Sequence, residues 1–378
     1  MGKKIVYVVG GLLAPNGMAQ VLSQKINYLA ENTDFKIYMI LTEKAGEPWY
    51  YEISKKVEWV NFDINFDELD TMPTLKKLWH FRGKQARYKR MFTDYLMKIR
   101  PDITVSACRR EINFINDIPD GSVKVGEIHF SRKYYRKFNK KWLPGFVNRF
   151  ISKIWIKQFE DETKRLRKFV LLSNGDRKEW KGYDNIQVIY NPVKWLSNVF
   201  SDGNSKRVVA VGRYTYQKGF DLLFKAWQKV EPKHPDWRLE IFGQGDYEGY
   251  QKDAESLGLT TVTCHPSVRD IYEEYVKSSI FVLSSRYEGF GLVIVEAMSC
   301  GVAPISFACE SGPEDIITDG VNGCLAIDGD TDDLADKINF LMENEDKRRM
   351  MAKNAIERAK DFSQDTIMKQ WIDLFNSL

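Results

Sequence analysis

From Arg207 to Lys360 short apolar runs alternate with segments of helical period, and this alternation constrains the fold more than any other feature. RVVAVG, WRLEIFG, TVTCH, IFVLSS, APISF and CLAI are runs of four to seven residues. Strand and helix alternate throughout. That alternation argues for a parallel sheet covered by helices on both sides. FDLLFKAWQKV, QGDYEGYQKDAESLGL, VRDIYEEYVKSS and LVIVEAMSCG supply helices between them, and DTDDLADKINFLMENEDKRRMMAKNAIERAK supplies more. GPEDIITDG links the last two strands.

The N-terminal half repeats the theme. KKIVYVVGG reads as a strand, LLAPNG as a loop and MAQVLSQKINYLAEN as a helix. FKIYMILT, ITVSA, VKVGEIHF and FVLLSN are further strands. The polar, turn-rich NPVKWLSNVFSDGNSK (191–206) marks a boundary. The expectation is an α/β protein of two doubly wound Rossmann-like domains facing a cleft. Residues 1–195 form the first and 196–362 the second. The amphipathic 363–378 segment, with Ile367, Trp371, Leu374 and Phe375 on one side, packs back onto the first. Ligands of such sheets bind at the carboxyl ends of strands.

No apolar run reaches the eighteen residues of a spanning helix, and the first apolar run is too short for a signal peptide. The five cysteines lack C-x-x-C spacing, which argues against zinc or a disulfide framework and for free thiols in a reducing cytoplasm. Net charge is +4 but uneven: residues 1–200 hold 36 Lys+Arg and 22 Asp+Glu, leaving 20 and 30 for the rest. The basic half is a candidate docking face for an anionic partner.

Two constellations carry chemistry. In SRYEGFGLVIVEAMSCG, Glu288 sits in a Gly289-Phe290-Gly291 turn and Glu296 in the helix that follows. The helix start offers unpaired N–H groups to a phosphate. Two carboxylates around such amides suit a nucleotide sugar, one for sugar hydroxyls and the other for a ribose. A solvated loop acid plus a dipole-favoured helix acid is the plainer reading. In VGRYTYQKGFDLL, Arg213 follows a strand and Lys218 precedes a helix. Such cations neutralise a diphosphate without a metal, or merely solvate a loop. Neither a dinucleotide fingerprint nor a Walker loop occurs.

On these residues the stretch from Arg207 to about Phe362 resembles the donor domain of family 4 retaining glycosyltransferases, which have the GT-B fold. The E-x7-E element is Glu288…Glu296, and the Gly-Arg…Lys element is Gly212-Arg213…Lys218. ISFACESGPEDIITDGVNGCL is similar to a subgroup that builds bacterial surface polysaccharides, such as capsule or O-antigen, and lipid-linked oligosaccharides. The resemblance implies that Arg213 and Lys218 hold the donor diphosphate and Glu296 the ribose. Glu288, with the backbone of Gly289, Phe290, Gly291 and Leu292, would hold the transferred sugar. His129, in GEIHFS, would stand near the donor sugar on the acceptor side, or simply at the base of a basic loop. Asn16 and Gly17 are the acceptor-side candidates in PNGMAQVL, where Met18 replaces a second glycine and Gln20 a glutamate common in the family.

The resemblance implies α-retaining transfer of a hexose or N-acetylhexosamine, from a UDP-linked rather than a GDP-linked donor. It implies a saccharide or polyprenyl-diphosphate acceptor, no metal and no cofactor beyond the nucleotide sugar. Glu288 is not expected to act as a nucleophile, and Asp328-Gly329-Asp330 reads as turn residues rather than a metal motif. A catalytically silent sugar-nucleotide-binding partner of another transferase is the alternative, and a GT-B phosphorylase or epimerase a third. Residues 129–168 hold 13 Lys+Arg against 3 Asp+Glu, interleaved with aromatics, and Lys76–Arg90 is a second basic run. They read as a membrane-resting surface that places the enzyme in the cytoplasm or on the inner face of the plasma membrane. An aromatic core face with solvated cations is the other reading. Nothing matches a nucleic-acid module.

Overall fold

The structure is a computed structural model that describes residues 2–12, 17–72, 74–132 and 145–378. The chain divides into two compact units. The first comprises Met1–Leu171, Trp180–Ile189 and Met368–Leu378, and the second Leu172–Glu179 and Tyr190–Ile367.

In the first unit seven strands form one parallel sheet, in the order β3-β2-β1-β4-β5-β6-β7. They are β1 (Lys4–Val8), β2 (Lys36–Leu41), β3 (Glu58–Asn61), β4 (Ile103–Ser106), β5 (Val123–Glu127), β6 (Lys168–Leu171) and β7 (Ile186–Val188). The central strands are sealed on both faces, as their unbroken apolar runs require: Ile5, Val6, Val105 and Val125 are at most 1% exposed. Helix Gly17–Asn32 buries Ala19, Leu22, Ile26, Leu29 and Ala30, a spacing that keeps one face on the sheet. The helices Thr74–Ile99 and Gly145–Lys164 complete the unit. The C-terminal segment joins its core. Trp371 and Phe375 are at most 1% exposed, Phe375 meets Tyr7 and Phe35 edge-on, and the Trp371 ring lies under Lys25 Nζ.

The second unit holds a six-stranded parallel sheet, in the order β10-β9-β8-β11-β12-β13. Its strands are β8 (Arg207–Val211), β9 (Arg238–Gly243), β10 (Val262–Pro266), β11 (Ile280–Leu283), β12 (Ala303–Phe307) and β13 (Cys324–Ala326). Helix Phe220–Val230 lays Phe220, Leu223, Phe224, Trp227 and Val230 on one face of this sheet. Helix Leu292–Ser299 covers the other through Ile294, Val295 and Met298. The chain leaves β8 toward β9 and leaves β11 toward β12. The gap between the carboxyl ends of β8 and β11 is therefore the topological switch point, where open α/β sheets bind ligands. Two Rossmann-like α/β units of this kind make the fold GT-B, as the sequence leads one to expect.

Candidate active site

The loops after β8 and β11 meet at that switch point. Gly212 ends β8, and its carbonyl lies where a Cβ on Gly243 would stand, 1.8 Å away. The two strand ends close up only because residue 243 is glycine. Tyr214 is buried, and its hydroxyl sits 2.8 Å from the Ile241 carbonyl and accepts from the His265 N–H. That anchor leaves neighbouring Arg213 exposed, with no ion pair among the described residues.

Five residues on, the chain makes a short turn, Tyr216–Lys218, and enters helix Phe220–Val230 through Gly219 at φ 64°. A Cβ on Gly219 would stand 2.1 Å from the Ser284 carbonyl. Further hydrogen bonds tie the two loops: Arg286 N–H to the Gln217 carbonyl, Gln217 Nε2 to the Tyr287 carbonyl, and the Ser284 hydroxyl to the Lys218 carbonyl. Arg286 spans Asp221 with two bonds of 2.8 and 2.6 Å and lies over the Tyr216 ring.

This lacing brings Lys218 and Glu288 together. Lys218 Nζ is 2.6 Å from Glu288 Oε1, and the Ser285 hydroxyl donates to the same oxygen at 2.6 Å. Glu288 is 7% exposed, so its partners keep it oriented and its charge compensated. Gly291, at φ 97°, opens helix Leu292–Ser299, and its position provides no side-chain cap for the first N–H groups of that helix. Phe290 belongs to the core, stacked on Tyr190 at 5.4 Å, so only its backbone is left for a ligand. The turn is backed by Gly312, where a Cβ would stand 2.0 Å from the Phe290 carbonyl.

Glu296, in the second turn of the helix, accepts from the Tyr275 hydroxyl at 3.3 Å. Burial pushes its carboxyl up to about 7, against the pull of the Tyr275 hydroxyl and the Lys218 charge. Lys218 thus bonds one carboxylate of the E-x7-E pair and acts electrostatically on the other. Reasoning from the sequence found Arg213, Lys218, Glu288 and Glu296 but missed Ser285, Tyr275 and Gly312. Ser285 stood in the quoted motif, three residues before Glu288. The Tyr275 contact spans twenty-one residues and has no local signal.

The acceptor-side candidates lie in the first unit. Glu127 ends β5, with Oε1 2.5 Å from Lys25 Nζ and 3.0 Å from His129 Nε2. The Lys25 and Glu127 side chains are each 1% exposed and that of His129 3%. Burial lowers Lys25 to about 8, whereas the facing Lys25 and His129 hold Glu127 down at about 2 despite its burial. Gly17 starts its helix in the open, with nothing within 4 Å of where a Cβ would be. Asn16 lies outside the described residues. Asp330 caps helix Thr331–Glu343, accepting from the N–H groups of Asp332 and Asp333.

Residues 194–358 match the family model of glycosyl transferases group 1. An uncharacterized glycosyltransferase of Haemophilus influenzae is 30% identical over 210 residues, 54% of this chain and 60% of that protein. The amylovoran biosynthesis glycosyltransferase AmsD of Erwinia amylovora is 32% identical over 190 residues, 49% and 52% of the two chains. The chain thus spans little more than half the length of these curated relatives. Among solved structures, a variant of S. aureus TarM, in complex with Fondaparinux, alpha-GlcNAc-glycerol and UDP, superposes with a TM-score of 0.74 at 16% identity. That match covers 99% of this chain and 100% of TarM. Residues 194–358 are therefore similar to the glycosyl transferases of group 1, the family whose model they match.

Proposed function

We propose that the protein transfers a hexose or N-acetylhexosamine from a UDP-linked donor, with retention and in α linkage. The acceptor is a saccharide or a polyprenyl-diphosphate-linked glycan in cell-surface polysaccharide synthesis. The observation that carries this reading is the Lys218–Glu288 pair at the switch point, with the exposed Arg213 guanidinium, which has no ion pair among the described residues, on the same strand-end loop as Lys218. Departure of the nucleotide leaves charge on a diphosphate. Arg213, Lys218 and the N–H groups opening helix Leu292–Ser299 are the groups that would stabilise it. In this reading the transfer needs no metal and no other cofactor.

Glu288, held in place by Lys218 and Ser285, accepts from hydroxyls of the transferred sugar, and Glu296 bonds the ribose. With one Glu288 oxygen committed to two donors and Glu296 bonded to Tyr275, the pair is poorly arranged for a glycosidase-like double displacement. His129 and Gly17 stay on the acceptor side, and the basic first unit meets an anionic membrane from the cytoplasmic side. UDP in the TarM complex and AmsD's part in amylovoran biosynthesis support the donor and the pathway class.

The test is thermal unfolding with UDP, GDP and ADP, followed by turnover of UDP-sugars. At a hundred times its dissociation constant a ligand stabilises by about 2.7 kcal/mol. A shift with UDP alone, absent in Arg213→Ala, is expected. A shift with GDP alone would reassign the donor, and no shift with any nucleotide would overturn the donor site. Release of UDP by wild type but not by Lys218→Ala separates an enzyme from a silent binding partner.

A further inference from the structure

Helix Gly145–Lys164 presents an unusual outer face. Phe146, Phe150 and Ile154 are 68%, 65% and 50% exposed. Arg149, Lys153 and Lys157 are exposed as well, and none has an ion-pair partner among the described residues. Each set is spaced by four residues. At 3.6 residues per turn the two rows run side by side on one face roughly 140° wide. Asn148, Phe159 and Thr163 lie on the opposite side and are buried. The aromatics of this helix therefore split. Phe159 is core, and the first two phenylalanines are not. Its acids follow the last cation of the stripe, where Glu160 pairs with Arg132 and Glu162 with Arg165.

A soluble helix turns its apolar row inward and its cations outward. Here an apolar row and a cationic row share the outward face, the arrangement of a helix lying in a bilayer interface, apolar side chains among acyl chains and cations at the headgroups. Among the described residues no helix is long and apolar enough to cross a membrane. We infer that this face of helix Gly145–Lys164 docks on an anionic lipid surface. Phe146, Phe150 and Ile154 insert, and Arg149, Lys153 and Lys157 hold the headgroup phosphates. The inference deepens the membrane-side part of the proposed function by naming the residues that make the contact.

The experiment is flotation of the full chain with vesicles of phosphatidylcholine alone or mixed with phosphatidylglycerol. Wild type should float with the anionic vesicles only, and lose binding as salt rises. Each cation near an anionic leaflet is worth about fivefold in binding. Replacing Arg149, Lys153 and Lys157 together by Gln should therefore cost on the order of a hundredfold and flatten the salt dependence. Replacing Phe146, Phe150 and Ile154 together by Ser should lower binding more than tenfold. All six side chains are exposed, so both variants should keep the wild-type melting temperature. Equal binding by wild type and both variants, or no binding of wild type to anionic vesicles, would overturn the inference. So would a wild-type dimer that the Ser variant dissociates, since a second copy would then cover the stripe. The UDP shift is read on the same samples without lipid, so failure here and failure of the donor site are distinguishable.

Discussion

At the scale of single residues, the site couples Lys218 to two carboxylates in different surroundings. Glu288 has a cation and a hydroxyl on one oxygen, whereas Glu296 has one hydroxyl and little else to offset its burial. A carboxyl raised from 4.5 to about 7 binds its proton more tightly folded than unfolded. Its contribution to stability is therefore complete below about pH 4.5, falls as pH rises toward 7, and stays low above. Glu296→Gln, which cannot ionise, should melt close to wild type at pH 5. At pH 8 it should melt higher, by a margin on the order of 2 kcal/mol. Equal melting temperatures at both pH values would show that Glu296 ionises freely. Lys218→Met acts in the other direction. It strips the cation from a nearly buried Glu288, so it should destabilise by about 3 kcal/mol and cut sugar transfer by about a hundredfold or more. Urea unfolding and turnover check the two effects separately. A large loss of turnover with unchanged stability would mean that the Lys218–Glu288 pair serves the reaction and not the fold.

At the scale of elements, the site depends on how closely two loops approach, and Gly219 sets that distance. A Cβ there would meet the Ser284 carbonyl at 2.1 Å, in a left-handed conformation that L side chains disfavour. Gly219→Ala should therefore destabilise the second unit by at least about 2 kcal/mol and lower donor affinity, because Lys218 shifts away from Glu288. An unchanged UDP shift in that variant would show that the loops close independently of this contact. The elements themselves were unevenly legible. The central strands β11 and β12 of the second sheet were readable because strands buried on both faces are continuous apolar runs, whereas β9 and β10, with exposed Arg238 and Thr263, were placed by the alternation of strands with helices. The edge strand β3 (EWVN) was missed: Glu58 and Trp59 are exposed, and four residues give no periodicity. Helix Thr74–Ile99 was read only as a basic run, since its cations outnumber its buried positions, which include Tyr88, Phe92 and Leu96. Arg213, Lys218 and Glu288 were legible because strand ends precede them. Ser285, Tyr275 and Gly312 act through contacts that only the folded sheet creates.

At the scale of the molecule, the chain does not split into two consecutive halves. It returns to the first unit for its last residues, Met368–Leu378. Those residues do more than cover a surface. Phe375 is fully buried against Tyr7 and Phe35, and its carbonyl accepts from Lys3 Nζ at 2.7 Å. Trp371 lies 3.4 Å below Lys25 Nζ, the cation that compensates buried Glu127. The first unit's core thus includes side chains from Met368–Leu378. Phe375→Ala leaves a cavity beside β1, and such a loss costs about 3–5 kcal/mol. Trp371→Ala costs a similar amount and also removes the ring from beneath Lys25. Because the two rings touch, the double variant should fall short of the sum. These losses belong to the first unit, whereas the groups proposed to hold UDP, Arg213, Lys218 and Glu296, belong to the second. Melting should therefore separate into two transitions, the lower one moved down by the substitutions and the upper one still raised by UDP. A single transition in which the UDP response disappears would show instead that the two units unfold as one, and that the C-terminal helix supports both.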